Sequence, residues 1–509
     1  MSYHELVQLQ RDYFKSGATR SYEFRKRQLL KLRELLVRES KSISATVHTD
    51  LKRSAKLTEI IEVQAAITEI DYFLDNLHEW MRPEYVEKTL KEILDTPMIV
   101  REPFGVVLVI STWNYPALMF FYPIIAIFAA GNTVVIKASE VSANTSNLIA
   151  NQLNRTFDKR LLHVVEGTAE VTTELLKEQF DKIMYTGSTG IAKIIMKAAA
   201  ESICPLVLEL GGKCPVIVEP DSDLEITAKR LVWAKCFNAG QTCVAPDFII
   251  TSPEVKSKLV GLIQKTTEKF YGPRMQTSPD YNRIINERHF DRLSSLIDQT
   301  QGQIVFRAGE ADRSDLFFPL TLVDCQLDDP LMEGELFGPI LPIITVPQPT
   351  SDGIQIINSG HNPLAAYIFT KNNHKIQRLI DETQSGGVVS NDTMMHYSVD
   401  TLPFGRRIRG VELDIRDSDN TEANMVSWSS RIPNPFYCAV SLATAWHRKA
   451  RYPPMTEKSY RDLAYLLKRR SFPRWLSRLR PSIPSLLIGL LIGIVLQRSG
   501  RLAALKFGN

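Results

Sequence analysis

The chain has 509 residues, 44% hydrophobic and 23% charged, with 25 glycines and 27 prolines spread along it. That composition excludes a disordered, fibrous or collagen-like chain, and at about 150 residues per domain the length allows two or three folding units. The net charge of +4 is uneven: residues 461–480 hold +6 (seven Lys or Arg against one Asp), the last 29 hold +3, and residues 1–460 are left at −5. A mildly acidic body with a basic tail argues against general nucleic-acid binding and for a tail with a partner of its own.

Residues 1–80 read as helices. In Arg25–Val47 the apolar positions Leu29, Leu32 and Leu36 recur at three- and four-residue spacing, with Leu30 and Leu35 beside them, and Glu34 and Arg38 form an i, i+4 pair. From Pro83 to Arg101 the pattern turns mixed and extended, which predicts a bridging strand pair. Val106–Ser111 (VVLVIS) is a β-branched run without alternation, as expected of a strand buried on both faces of a parallel sheet. Thr133–Lys137 is a second such strand, and Leu161–Val165, Lys182–Tyr185 and Leu206–Leu210 are further ones. Pro123–Ala130, Asn144–Asn154 and Ile191–Glu201 read as the helices between them, so a doubly wound α/β domain is expected. The same rhythm resumes from Cys214 to Val389 as a second α/β domain.

Two apolar stretches raise the question of a membrane. Gly105–Gly131 is uncharged over 27 residues, but Asn114, Pro116 and Pro123 punctuate it, and a packed strand–loop–helix is the better reading. Ile483–Leu496 is uncharged over 14 residues and follows Lys468, Arg469, Arg470, Arg474, Arg478 and Arg480. It is shorter than the ~17–25 residues of a comfortable span, yet the basic flank suits an anionic leaflet, so it is read as a membrane anchor with a cytosolic flank. The endoplasmic reticulum is the default membrane, with peroxisome and mitochondrial outer membrane as alternatives.

The six cysteines, Cys204, Cys214, Cys236, Cys243, Cys325 and Cys438, are too few to staple the chain. Met1–Lys15 is polar and has no secretory leader, so reduced thiols in a cytosol-facing compartment are expected. Cys243 lies in Asn238-Ala-Gly-Gln-Thr-Cys-Val-Ala-Pro, where Gly240 and Pro246 mark a loop that could expose a nucleophilic sulfur. The other five sit among apolar neighbours and read as packing thiols. No CxxC pair exists, and no metal site is expected. In Leu208-Glu-Leu-Gly-Gly-Lys a carboxylate ends a strand before two glycines. Glu209 is either a solvated acid at a turn or, with a loop cysteine 34 residues on, the base of a nucleophile-and-base pair.

A fuller set of motifs decides between these. Trp113-Asn-Tyr-Pro, Gly131-Asn-Thr-Val-Val-Ile-Lys-Ala-Ser-Glu, Tyr185-Thr-Gly-Ser-Thr, Glu209-Leu-Gly-Gly-Lys, Gly240-Gln-Thr-Cys and Glu335-Leu-Phe-Gly-Pro follow in order. On them the chain resembles the aldehyde dehydrogenase superfamily, closest to its fatty-aldehyde (class 3) branch, over roughly residues 1–405 and again around Arg451-Tyr-Pro-Pro. The resemblance implies a Rossmann-type cofactor domain (1–82 and 102–208), bridging or oligomerisation strands (83–101) and an α/β catalytic domain (209–395). A divergent late segment (396–450), a basic juxtamembrane segment (451–480) and the membrane anchor (483–496) complete the division.

The resemblance also implies the roles. Cys243 would form a thiohemiacetal with the aldehyde, the Asn114 amide and the Cys243 N–H would hold the oxyanion, and Glu209 would activate water to hydrolyse the thioester. Lys137 and Glu140 would contact the adenosine ribose; the acid favours NAD, and Lys137 leaves NADP open. Gly187 and Ser188 would face the pyrophosphate at a helix N-terminus, and Glu335 and Phe337 would position the nicotinamide ribose and ring. Trp113 and Gly211 join the cofactor-binding set through their motifs. Tyr115, Met119 and His396 are weaker candidates for a substrate funnel. Taken singly, Asn114, Glu335 and Phe337 also read as turn residues, and Lys137 and Glu140 as solvated charges.

The chain departs from the family pattern at Ala192, in Gly187-Ser-Thr-Gly-Ile-Ala, where a second glycine is usual, and over 406–450. The expected function is NAD(P)-dependent oxidation of a long-chain or other apolar aldehyde to its acid by a homodimer. The alternatives are oxidation of a secondary-metabolite aldehyde, or a catalytically impaired, membrane-tethered binding protein of the same fold.

Overall fold

The β-branched runs without polar alternation form strands that are covered on both faces. The computed structural model describes residues 1–86, 95–398, 402, 452–457 and 459–461, all within a unit spanning Met1–Leu467. A short antiparallel ribbon, β1 (Glu84–Tyr85) and β2 (Met98–Ile99), leaves Tyr85 and Met98 exposed where the extended strand pair was expected. Next come β3 (Val106–Ile110), β4 (Thr133–Lys137), β5 (Leu162–Val165), β6 (Lys182–Gly187) and β7 (Leu206–Leu210). They form an all-parallel sheet in the order β5-β4-β3-β6-β7.

Side chains of this sheet alternate between two cores. Val107, Val109, Val134 and Ile136 pack with the helices Tyr22–Leu51, Ala65–Trp80 and Leu118–Ala130. Val106, Leu108, Val135 and Ile183 pack with the helices Tyr3–Lys15 and Thr189–Glu201. Burial of both faces explains why these strands lack the polar alternation of half-exposed ones. Gly105–Gly131 resolves into β3 and a buried 13-residue helix, and among the described residues no helix is long and apolar enough to cross a membrane.

The helix Tyr22–Leu51 is longer than its apolar repeat suggests because Ser21 caps it through Phe24 N–H at 3.2 Å. Its expected Glu34–Arg38 pair is corrected: Arg38 instead meets its neighbour Glu39 at 2.8 Å, an exposed contact of little energetic weight.

The second sheet contains β8 (Pro215–Val218), β9 (Phe248–Thr251), β10 (Gln303–Arg307), β11 (Thr321–Asp324), β12 (Ile340–Thr345), β13 (Ala366–Phe369) and β14 (Val388–Ser390). Their order is β10-β11-β12-β9-β8-β13-β14, parallel except for the β10–β11 pair. Of the late segments, the described residues include only 396–398, 402, 452–457 and 459–461. The 406–450 departure, Cys438 and the apolar run 483–496 therefore lie outside them.

Candidate active site

The loop bearing Cys243 is built by backbone that few residues adopt. After the helix Leu224–Cys236, Asn238 (φ 53°), Ala239 (φ 51°) and Gly240 (φ 73°) all take left-handed conformations. A side chain at Gly240 would collide with the Gly338 carbonyl, so the Gly240-Gln-Thr-Cys loop and the Glu335-Leu-Phe-Gly loop meet backbone to backbone. Cys243 is half-buried and packs against the large apolar core of the second sheet. Burial, then the charges of Glu335 and Glu209, push its thiol up to about 12. Beneath it the Cys214 thiol donates to the Cys243 carbonyl at 3.4 Å.

Asn114 and Glu209 arrive from the first sheet. Asn114 is buried just past β3, and its Nδ2 donates to the Gln241 carbonyl at 3.1 Å, which brings it to the cysteine loop. Glu209 lies on β7, with Oε2 sealed from solvent and without a hydrogen-bond partner. Burial alone raises its carboxyl to about 8, and its charge is felt at Cys243. Tyr115 shares a 2.7 Å hydrogen bond with Thr242, and Met119 is half-buried one helical turn on. His396 is buried against Gly387 and the Tyr367 ring (centroids 6.4 Å apart), and burial lowers it to about 4.

A second group surrounds the crevice between β3 and β6, where the strand order reverses, the usual ligand position of such sheets. Three helices begin after β3, β4 and β6, and their N-termini differ. Glu62 accepts from Ala117 and Leu118 N–H (2.8 and 2.9 Å), and Asp50 accepts from Thr145 N–H (2.9 Å). The helix Thr189–Glu201 starts at Ser188 with no side-chain cap, and space above Gly190 is open. Free N–H groups at a helix start suit a phosphate. Lys137 Nζ meets Glu140 at 2.6 Å at the end of β4. Ala192 is fully buried in the core under its helix, so the methyl that replaces the usual glycine points into packing. These features fit a dinucleotide.

Between the two groups Glu335 lies against the Gly211–Gly212 turn, where a methyl on Gly211 would overlap its carboxylate. Burial and then Asp247 raise Glu335 to about 8. Trp113 packs edge-on to Phe337 (5.4 Å), itself held at φ 47°.

Several contributors escaped the sequence reading. Lys213 anchors the Glu335 loop through Asp247 (2.8 Å) and the Leu331 and Gly334 carbonyls (2.7 and 3.0 Å). Arg292 donates to the Leu336 carbonyl at 2.6 Å, and the His289 ring packs at a tilt of 51° against Trp113, centroids 4.8 Å apart. Arg53, Glu62 and Asn238 gather behind Asn114. Lys213 and Asn238 stood within quoted motifs; the others belong to no local pattern.

The aldehyde dehydrogenase family model matches residues 2–407. "Aldehyde dehydrogenase family 3 member A2" of Macaca fascicularis is 40% identical, covering 91% of this chain and 94% of its own length. "Aldehyde dehydrogenase, dimeric NADP-preferring" of Rattus norvegicus is 41% identical over 90% of this chain and 99% of its own. The solved structure "Substrate bound state of Staphylococcus Aureus AldH" superposes with a TM-score of 0.77 at 37% identity, over 79% of this chain and 87% of that one. The fold, the crevice at the strand reversal and these likenesses agree: the chain belongs to the aldehyde dehydrogenase family and is an enzyme that uses NAD or NADP.

Proposed function

We propose that the protein oxidises a long-chain or other apolar aldehyde to its carboxylic acid, with the first sheet holding the cofactor and the second the nucleophile. The observation that bears most on this reading is Glu209, a carboxyl with one oxygen shielded and unpartnered whose charge reaches Cys243. In the mechanism, the Cys243 sulfur bonds to the aldehyde carbon while its proton passes to water. The carbonyl oxygen gains the electron pair and is held by the Asn114 amide and the Cys243 N–H; one such donor contributes about 3–4 kcal/mol in other enzymes. The nicotinamide, when bound, supplies the acceptor for the hydride that leaves this carbon, so that a thioester remains on Cys243. Glu209 in its ionised form then takes a proton from water, the hydroxide adds to the thioester carbon, the C–S bond breaks and the acid departs.

On this reading Lys137 and Glu140 hold the adenosine ribose, Gly187 and Ser188 the pyrophosphate, and Trp113, Gly211, Glu335 and Phe337 frame the nicotinamide end. Tyr115 and Met119, with the apolar core that Cys243 packs against, favour an uncharged substrate tail. The run 483–496 would tether the enzyme to the membrane in which such substrates dissolve. Aldehyde-dependent NADH formation tests the proposal. Turnover should rise along a ladder of aliphatic aldehydes and vanish in Cys243→Ser while cofactor binding persists. Equal turnover of short and long aldehydes would remove the substrate assignment, and turnover by Cys243→Ser would remove the thiol mechanism.

A further inference from the structure

Behind Asn114 lies a polar cluster to which the proposed chemistry assigns no work. Arg53 and Glu62 are both fully buried, and they form an ion pair. Placing two charges where water cannot reach is costly unless the remaining hydrogen-bonding capacity is used. Here much of it is used on the residues that place Asn114. Arg53 Nη2 donates to the Asn114 backbone carbonyl at 2.8 Å and to Asn238 Oδ1 at 2.6 Å. Its guanidinium lies over the Tyr115 ring at 4.8 Å. Glu62 turns its other oxygen to the N–H groups of Ala117 and Leu118, three and four residues after Asn114.

Asn238 closes the frame. Its Nδ2 donates to the Asn114 carbonyl at 2.9 Å and to the Gln241 carbonyl at 3.1 Å, and the latter also accepts from Asn114 Nδ2 at 3.1 Å. Asn282 adds a donor to Asn238 Oδ1 at 3.2 Å. Asn114 is thus held at its backbone by two donors and at its side chain by one acceptor, and the same Asn238 amide joins both ends. Glu62 itself sits in a π-helical turn, Glu59–Gln64, a local widening that recurs at functional sites.

We propose that Arg53, set by Glu62, and Asn238 are positioning residues that fix the Asn114 amide for the developing oxyanion. The inference rests on the reading of Asn114 as the oxyanion donor. Fixing the amide matters because a donor that must reorganise during the reaction loses much of its benefit, and a displacement of about 1 Å at a reacting group can cost ~100-fold in rate.

The test is a mutant cycle in the full-length chain, with kcat, both KM values and the rate of Cys243 alkylation by iodoacetamide as readouts. Asn114→Ala should lower kcat by ~10²–10³-fold. Arg53→Lys keeps a charge for Glu62 but lacks the planar fork that serves two acceptors, and Asn238→Gly removes the strut while tolerating the left-handed backbone. Each should lower kcat by about tenfold or more, with the cofactor KM and the alkylation rate unchanged. Added to Asn114→Ala, each should lower kcat less than about twofold further, since residues acting through one group do not add. If both variants multiply with Asn114→Ala, or if alkylation slows in step with turnover, the positioning role is overturned and Asn114 keeps its own. If Asn114→Ala leaves kcat unchanged, the oxyanion reading fails, and this inference with it.

Discussion

A carboxyl with one oxygen shut away from water and from every donor, as at Glu209, ionises late because its charge is the form that loses solvation. Its ordinary value is 4.5 and burial carries it to about 8, so near neutral pH most of it is protonated and cannot act as a base. Hydrolysis of the acyl-enzyme should therefore rise with pH, level off above about 8, and follow one ionisation. In Glu209→Gln that step should be ~10²–10⁴-fold slower and flat with pH, while the first turnover of NADH still appears as a burst. Rapid-mixing absorbance separates the two phases; a wild-type step without pH dependence would remove Glu209 from the role. Cys243 is shifted the same way, up to about 12, so the thiol rests protonated and its activation must come with substrate and cofactor in place. The Cys243 shift could not be seen in the sequence, which shows that an acid and a thiol share a chain but not how far the thiol is from water.

Among the elements, the strands of the first sheet were legible because burial on both faces leaves an unbroken β-branched run, as in β3 and β4. The helices were legible from their apolar spacing, though their ends were set by caps such as Ser21 that the spacing does not contain. What was not legible is how these elements are joined. Asp50 caps a helix that begins 93 residues later, and Arg53 reaches Asn238 across 185 positions. Contacts of that range leave no periodicity, and polar residues in such positions look like ordinary surface residues until the fold buries them. The turn Asn238-Ala-Gly is intermediate: Gly240 signals a loop, but three consecutive left-handed residues are not implied by it. Gly240→Ala should both strain the backbone and push the Gly338 carbonyl away. A loss of about 1–3 kcal/mol from the strain alone is expected in urea unfolding, together with a larger fall in turnover than in stability. A variant with parental stability and rate would show that the two loops need not touch.

At the scale of the whole molecule, the exposed β1–β2 ribbon among the described residues and, in sequence, the basic segment followed by the apolar run 483–496 have no part in the proposed chemistry. The full chain is expected to float with vesicles of phosphatidylcholine, and more completely when phosphatidylserine is added; a chain ending at Arg480 should lose most of that association while keeping its turnover. Association unaffected by the truncation would place membrane contact elsewhere. With the ribbon as a joining element, the full chain in detergent should sediment at twice the protomer mass of 57.7 kDa, and a monomer would leave the ribbon without that role.

The grip of Arg53 on Asn238 has a bearing on how the enzyme is made. During synthesis the first 210 residues hold every strand of the cofactor sheet, and the Arg53–Glu62 pair with it, before the nucleophile loop has left the ribosome. In the nascent chain the guanidinium would find Glu62 and the Asn114 carbonyl early and wait for its last acceptor. A chain made only that far could fold its nucleotide crevice while Arg53 still lacks Asn238, so the frame around Asn114 closes only once the second half has folded.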